Sequence, residues 1–167
     1  MTDPYTLTVN EKKRIDHWVN KFPEGQAQSA VIMALRILQD EHRWLKDTHL
    51  DCVADYLDMP KVRVYEVASF YSMYNREPKG KYEIKVCSSI SCHLCKAHDL
   101  IHHIREKLDI QLGETTKDGV FTLGEAECIA ACTQAPALII NDVETHGSMN
   151  KDKVDHLITE LRKRGKS

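Results

Sequence analysis

The sequence predicts an α+β chain, an N-terminal small helical bundle followed by an α/β half. Three observations carry this. Apolar residues recur at helical spacing through the first 70 or so positions. At "NREPKGK", residues 75–81, the composition turns abruptly to Pro, Gly and charge. Beyond it, short β-branched runs alternate with amphipathic stretches. The boundary therefore falls there, giving residues 1–75 and 76–167 as two domains. A chain of 167 residues, 42% hydrophobic and 29% charged, is long enough for two small cores.

In the first half, "TVNEKKRIDHWVNKF" sets Ile15, Trp18, Val19 and Phe22 on one helical face behind Asn10 as N-cap, and "PEG" ends it. "SAVIMALRILQDEH" is apolar almost all round, as a helix surrounded by neighbours should be. "THLDCVADYL" opens with a capping-box pattern from Thr48 to Asp51, and its Cys52 reads as a buried small hydrophobe. "KVRVYEVASFYSMY" has the β-branched content of a strand, but its helical neighbours favour a fourth helix. Trp18 is expected in the core, and the segment from Phe70 to Tyr74 at an interface.

In the second half, "KYEIKVC" reads as a strand, Ala97 to Leu108 as a helix, "GVFTLGEAEC" and "ALIIND" as strands and "VETHGSM" as a hairpin partner. "KDKVDHLITELRK" closes the chain as a helix with Val154, Leu157, Ile158 and Leu161 on one face. Strand, helix, three strands and helix describe a small sandwich of the thioredoxin type.

Composition excludes several functions. A net charge of -2 and one dense cationic run, Arg162 to Arg164 in a C-terminal tail, leave no nucleic-acid footprint. The apolar run from Ala30 to Leu35 is too short to span a bilayer, and Met1 to Lys12 holds no signal-peptide core, so a cytoplasmic chain without direct membrane insertion is expected. The seven glycines form no G-x-G-x-x-G or P-loop, which puts any nucleotide site on another chain.

Six cysteines in a reducing compartment argue for metal or redox chemistry rather than disulfides. Five lie in the second half, as Cys87-x4-Cys92-x2-Cys95 and Cys128-x3-Cys132, each group following a predicted strand. Loops at the ends of neighbouring strands meet, so both groups can converge. A dithiol would use Cys92 and Cys95, with Pro136 facing them, and would leave Cys87, Cys128 and Cys132 idle. Structural zinc would take Cys92, Cys95, Cys128 and Cys132. A 2Fe-2S cluster would take either Cys87, Cys92 and Cys95 with one later cysteine, the plant-ferredoxin spacing, or Cys87, Cys92, Cys128 and Cys132 across the loops. Spacing does not choose. The small residues Ser88, Ser89 and Ser91, with Ala130 and Ala131, favour a cluster over zinc, because they let backbone N–H groups approach bridging sulfides. His98 and His102 share a helix face at i and i+4, but with no acidic third ligand they read as a solvated face.

"VCSSISCHL", "GETTKDGVFTLGEAECIAACTQAPALIIND" and "MPKVRVYEVASFYSMYN" together resemble one family over nearly the whole chain. It is the thioredoxin-like 2Fe-2S subunit of the NADH dehydrogenase module of respiratory complex I (NADH-quinone oxidoreductase), called NuoE in bacteria. The resemblance implies C-x4-C and C-x3-C ligands, which fall on Cys87, Cys92, Cys128 and Cys132. It makes Cys95 a spare thiol. It implies one 2Fe-2S cluster exchanging single electrons with FMN, and FMN and NADH sites on a NuoF-like flavoprotein partner. It implies a bacterial cytoplasmic subunit held at the inner membrane only through its complex. NAD-dependent hydrogenases and formate dehydrogenases carry a similar small subunit, so the resemblance admits them as the alternative. Glu125 and Glu127 would disfavour reduction of such a cluster and Lys96 would favour it.

Overall fold

The computed structural model describes residues 4–164. The chain divides into two compact units, Met1–Pro78 and Lys79–Ser167, each with its own hydrophobic core. No helix among the described residues is long and apolar enough to cross a membrane.

The first unit is built of α1 (Val9–Val19), a 3-10 turn (Ala27–Ala30), α2 (Val31–His42), α3 (Asp47–Tyr56) and α4 (Lys61–Phe70). Helix, not strand, is what "KVRVYEVASF" adopts, because Val64 and Ala68, four apart, are the residues it buries. Helix α1 is capped by Thr8 rather than Asn10. The Thr8 hydroxyl accepts the Glu11 N–H at 3.2 Å, and the Glu11 carboxylate accepts the Thr8 N–H at 2.7 Å. Asn10 already lies in the first turn, where its side chain caps nothing. Likewise α3 starts before Thr48: its cap residue is Lys46, whose N–H donates to His49 Nδ1 at 3.3 Å.

Glu11 is buried and also accepts the Tyr5 hydroxyl at 2.8 Å, with His42 Nε2 at 3.1 Å. Burial alone would raise its carboxyl. The Thr8 and Tyr5 donors and His42 outweigh that and hold it below the usual range. His49, packed edge-on against Tyr5 at 4.5 Å, is buried and shifts to about 4, because desolvation and the neighbouring His42 and Lys46 disfavour its cation.

Gln39 on α2 is a buried clamp: its side chain donates to the Met73 carbonyl at 2.7 Å and accepts the Asn75 N–H at 2.6 Å. Tyr74 is therefore core, not interface, and its hydroxyl donates to the Ile32 carbonyl at 2.7 Å. Phe70 and Tyr71 remain exposed, Phe70 at 80%. Trp18 is half-buried against the core with Lys21 Nζ 3.7 Å from its ring, and Cys52 is half-buried rather than enclosed.

The second unit holds β1 (Tyr82–Cys87), α5 (Ile90–Leu94), α6 (Ala97–Leu108), β2 (Phe121–Ala126), a 3-10 turn (Cys132–Gln134), β3 (Leu138–Ile140), β4 (Glu144–His146) and α7 (Lys151–Arg164). The sheet order is β2-β1-β3-β4. Strands β1 and β2 are parallel, in register from Tyr82↔Phe121 to Cys87↔Ala126, whereas β3 and β4 add antiparallel. The crossover that parallel pairing requires is α6. Ile84, Val86, Phe121, Leu123, Leu138 and Ile140 of the sheet share one core with the apolar faces of α6 and α7. The run from Arg162 to Arg164 forms the last turn of α7 rather than a tail, where cations suit the helix dipole. Gly80 leads into β1 so closely that a Cβ there would sit 2.7 Å from the Phe121 carbonyl carbon. Its N–H donates to Thr122 Oγ1 at 2.7 Å.

Candidate metal centre

Because β1 and β2 run parallel and end level, the loops that follow them leave the same edge of the sheet. Cys87 is the last residue of β1, opposite Ala126, and the second cysteine loop begins two residues beyond Ala126. Backbone bonds tie the junction: Ser88 N–H donates to the Ala126 carbonyl at 2.9 Å and Cys87 N–H to the Ala137 carbonyl at 3.0 Å. The Cys87 thiol donates to the Glu127 carbonyl at 3.4 Å, so its sulfur already lies against the residue preceding Cys128.

Helix α5, which the periodicity does not predict, turns the first loop. It buries Cys92 on the inside and leaves Ile90 and Leu94 outside, at 75% and 78% exposure. Burial pushes the Cys92 thiol up. The Ala137 backbone N–H pulls it down again, and the adjacent Cys87 and the nearby Cys132 push it further up. The structure thus sets Cys92 beside Cys87 and within electrostatic reach of Cys132, and Cys128 stands exposed at the start of the same loop as Cys132. Between them Ala130 takes a left-handed conformation at φ 58°, which for a residue with a Cβ costs about 1 kcal/mol. Cys95 caps the C-terminal end of α5 and is exposed, whereas Cys92 within the helix is buried.

These environments bear on the competing chemistries. A redox dithiol needs an accessible thiol of lowered pKa, whereas Cys92 is enclosed and shifted the other way. Ligand thiolates in such a place need a cationic centre to offset their charge, which iron supplies. Among the described residues no group of three or more His, Cys, Asp or Glu side chains stands placed to hold a metal ion. A two-iron cluster asks for two thiolates at each iron. His98 is exposed with its ring 5.7 Å from that of His93, and His102 is exposed beside Glu106 at 3.4 Å. Glu125, Glu127 and Lys96 are all exposed at the rim. The Ala135–Pro136 peptide is cis.

A mixed sheet sharing its core with α6 and α7, with two cysteine loops leaving one sheet edge, describes a thioredoxin-like domain that gathers its thiols at that edge. Comparison with known proteins agrees. The family model for thioredoxin-like 2Fe-2S ferredoxins matches residues 15–162, and the chain belongs to that family. It is 36% identical over 156 residues to the second E subunit of the NADH-quinone oxidoreductase of Rhizobium meliloti (strain 1021), covering 93% of this chain and 90% of that one. It is 41% identical over 141 residues to the E subunit of the NADH-quinone oxidoreductase of Rickettsia typhi (strain ATCC VR-144 / Wilmington), covering 84% and 82%. Among solved structures it resembles the NAD+-reducing NiFe hydrogenase in its air-oxidised state, with a TM-score of 0.68 and 24% identity. That match covers 78% of this chain and 23% of the hydrogenase chain and speaks for the fold.

Proposed function

We propose that this chain is the electron-transfer subunit of an NADH-quinone oxidoreductase, and that Cys87, Cys92, Cys128 and Cys132 hold its 2Fe-2S cluster. When bound, the cluster supplies one-electron storage and release, and the two-electron chemistry of NADH is left to the FMN of a NuoF-like flavoprotein partner. Of these four, Cys87 and Cys92 are buried and Cys128 and Cys132 are exposed. Ile129 and Ala131, packed partly against the core, keep water from the inner pair. The exposed carboxylates of Glu125 and Glu127 oppose the arrival of negative charge, and Lys96 favours it. Phe70 and Tyr71 offer exposed aromatic surface for assembly. The complex, not this chain, provides the link to the inner membrane, on its cytoplasmic side. The observation that supports the ligand set is the level ending of β1 and β2, with the Cys87 sulfur against Glu127.

Iron and sulfide analysis with a visible spectrum on anaerobically purified protein tests it. About two irons and two sulfides per chain are expected, kept in Cys95→Ser and lost in Cys132→Ser. Loss in Cys95→Ser with retention in Cys132→Ser would instead assign the plant-type set. Colourless zinc protein from an anaerobic preparation would overturn the cluster altogether.

A further inference from the structure

The helical unit carries a groove of about 790 Å3 that the electron-transfer reading does not use, a volume within the range of ligand sites. Its lining is the Pro4–Tyr5 segment, the loop and first turn from Trp44 through Lys46 to His49, and Arg76, with Asp47 among the lining residues. Trp44 is half-buried and is not among the aromatic residues packed against the helical core, so its ring serves as wall rather than as core. The groove is held by backbone: the Leu45 N–H donates to the Asn75 carbonyl at 2.7 Å, fixing the Trp44–Lys46 loop to the segment that carries Arg76.

Its charges are unequal. Arg76 is neutralised by Asp47, to which its Nη2 donates, and its guanidinium lies 5.2 Å from the Tyr65 ring. Lys46 pairs with no carboxylate among the described residues; its Nζ stands 5.5 Å from the Trp44 ring centroid. His49 is buried. One uncompensated cation beside two aromatic walls selects a monoanion attached to an apolar body, and not a polyphosphate.

We propose that this groove seats an acidic side chain flanked by an aromatic one, carried by a protein partner. Lys46 takes the carboxylate, the Thr48 hydroxyl adds a second donor, and Trp44 and Tyr5 take the ring. Lys46 is solvent-exposed, and the Trp, Tyr and paired Arg around it are residue types that anchor protein interfaces. The inference rests on the reading that the chain works inside a complex, which makes a partner's side chains the source of the anion.

The test follows Trp emission of the holoprotein as the peptide acetyl-Gly-Asp-Phe-Gly-amide is added. A saturable change is expected that is absent in Trp44→Phe. Binding should weaken at least about fivefold with the Asn counterpart of the peptide, in Lys46→Gln, or at 1 M salt. Lys46→Glu should lessen co-purification with the flavoprotein partner while iron and sulfide stay at the wild-type level. Loss of iron and sulfide from the wild type itself would instead strike the electron-transfer reading. Equal peptide binding by wild type and Lys46→Gln would overturn the proposal. So would phenylacetate binding as tightly as the peptide, which would make the groove a small-molecule site. Self-association that changes Trp44 emission without peptide, or the same change on deleting residues 1–3, would assign the groove to a second copy or to the chain's own N-terminus and would equally overturn it.

Discussion

Acid should loosen the helical unit through one buried imidazole. His49 is 3% exposed and its pKa falls from 6.5 to about 4, chiefly because burial denies its cation solvent, with His42 and Lys46 adding repulsion. Its folded pKa is depressed, so at pH 7 both states are neutral and nothing is lost. As pH drops below 6.5 the unfolded chain takes up a proton that the folded chain refuses. The contribution of His49 to stability therefore declines from pH 6.5 down to about 4 and levels off below. Integrated over that window, the loss is about 2 kcal/mol by pH 5 and about 3 kcal/mol by pH 4. Glu11, whose carboxyl is held low, adds its own loss only below the usual carboxylate range. Both tryptophans, Trp18 and Trp44, lie in this unit, so urea unfolding followed by Trp emission reports on it directly. His49→Gln removes the titration. The variant should be less stable at pH 7 but should lose less than about 1 kcal/mol between pH 7 and pH 5. An unchanged pH slope in His49→Gln would refute the assignment of acid sensitivity to this residue.

Further substitutions probe the local physics. Thr8→Ala should destabilise the helical unit by about 1 kcal/mol and Asn10→Ala by almost nothing, read by the same urea titration, because only Thr8 caps α1. Tyr74→Phe should cost about 1 kcal/mol by removing the donor to the Ile32 carbonyl while keeping the buried ring. Gly80→Ala should cost about 1–3 kcal/mol in the second unit, since its Cβ meets the backbone of Phe121. Thermal loss of the visible cluster absorbance at a lower temperature than in wild type is the readout there.

Long amphipathic segments are legible from sequence. Ala97–Leu108 and the face of Val154, Leu157, Ile158 and Leu161 appear where periodicity puts them, because their burial on α6 and α7 is the physical cause of the pattern. Ends are less so. Thr8 and Asn10 are both good caps, and what decides is the tertiary position of Glu11, which Tyr5 and His42 hold from outside the helix. Helix α5 is invisible in the sequence, since five residues carry too little period to register. Tyr74 resembles the exposed aromatics beside it in sequence, and it is Gln39, far away along the chain, that draws it inward. Around the centre, the two cysteine groups and their position after strands are legible. The split between an enclosed pair and an open one is not, because Cys87 is enclosed by its place in β1 between β2 and β3 and Cys92 by the side of α5 that is buried.

The separation of the two cores has a bearing on how the molecule is made. The residues of the helical core all precede Pro78, and those of the second core all follow Lys79. By the time Cys132 is added to the growing chain, the whole helical unit has been synthesised and can bury its apolar residues on its own, as domains folding in order of synthesis do. A nascent chain can thus have one half folded while the other still waits for iron.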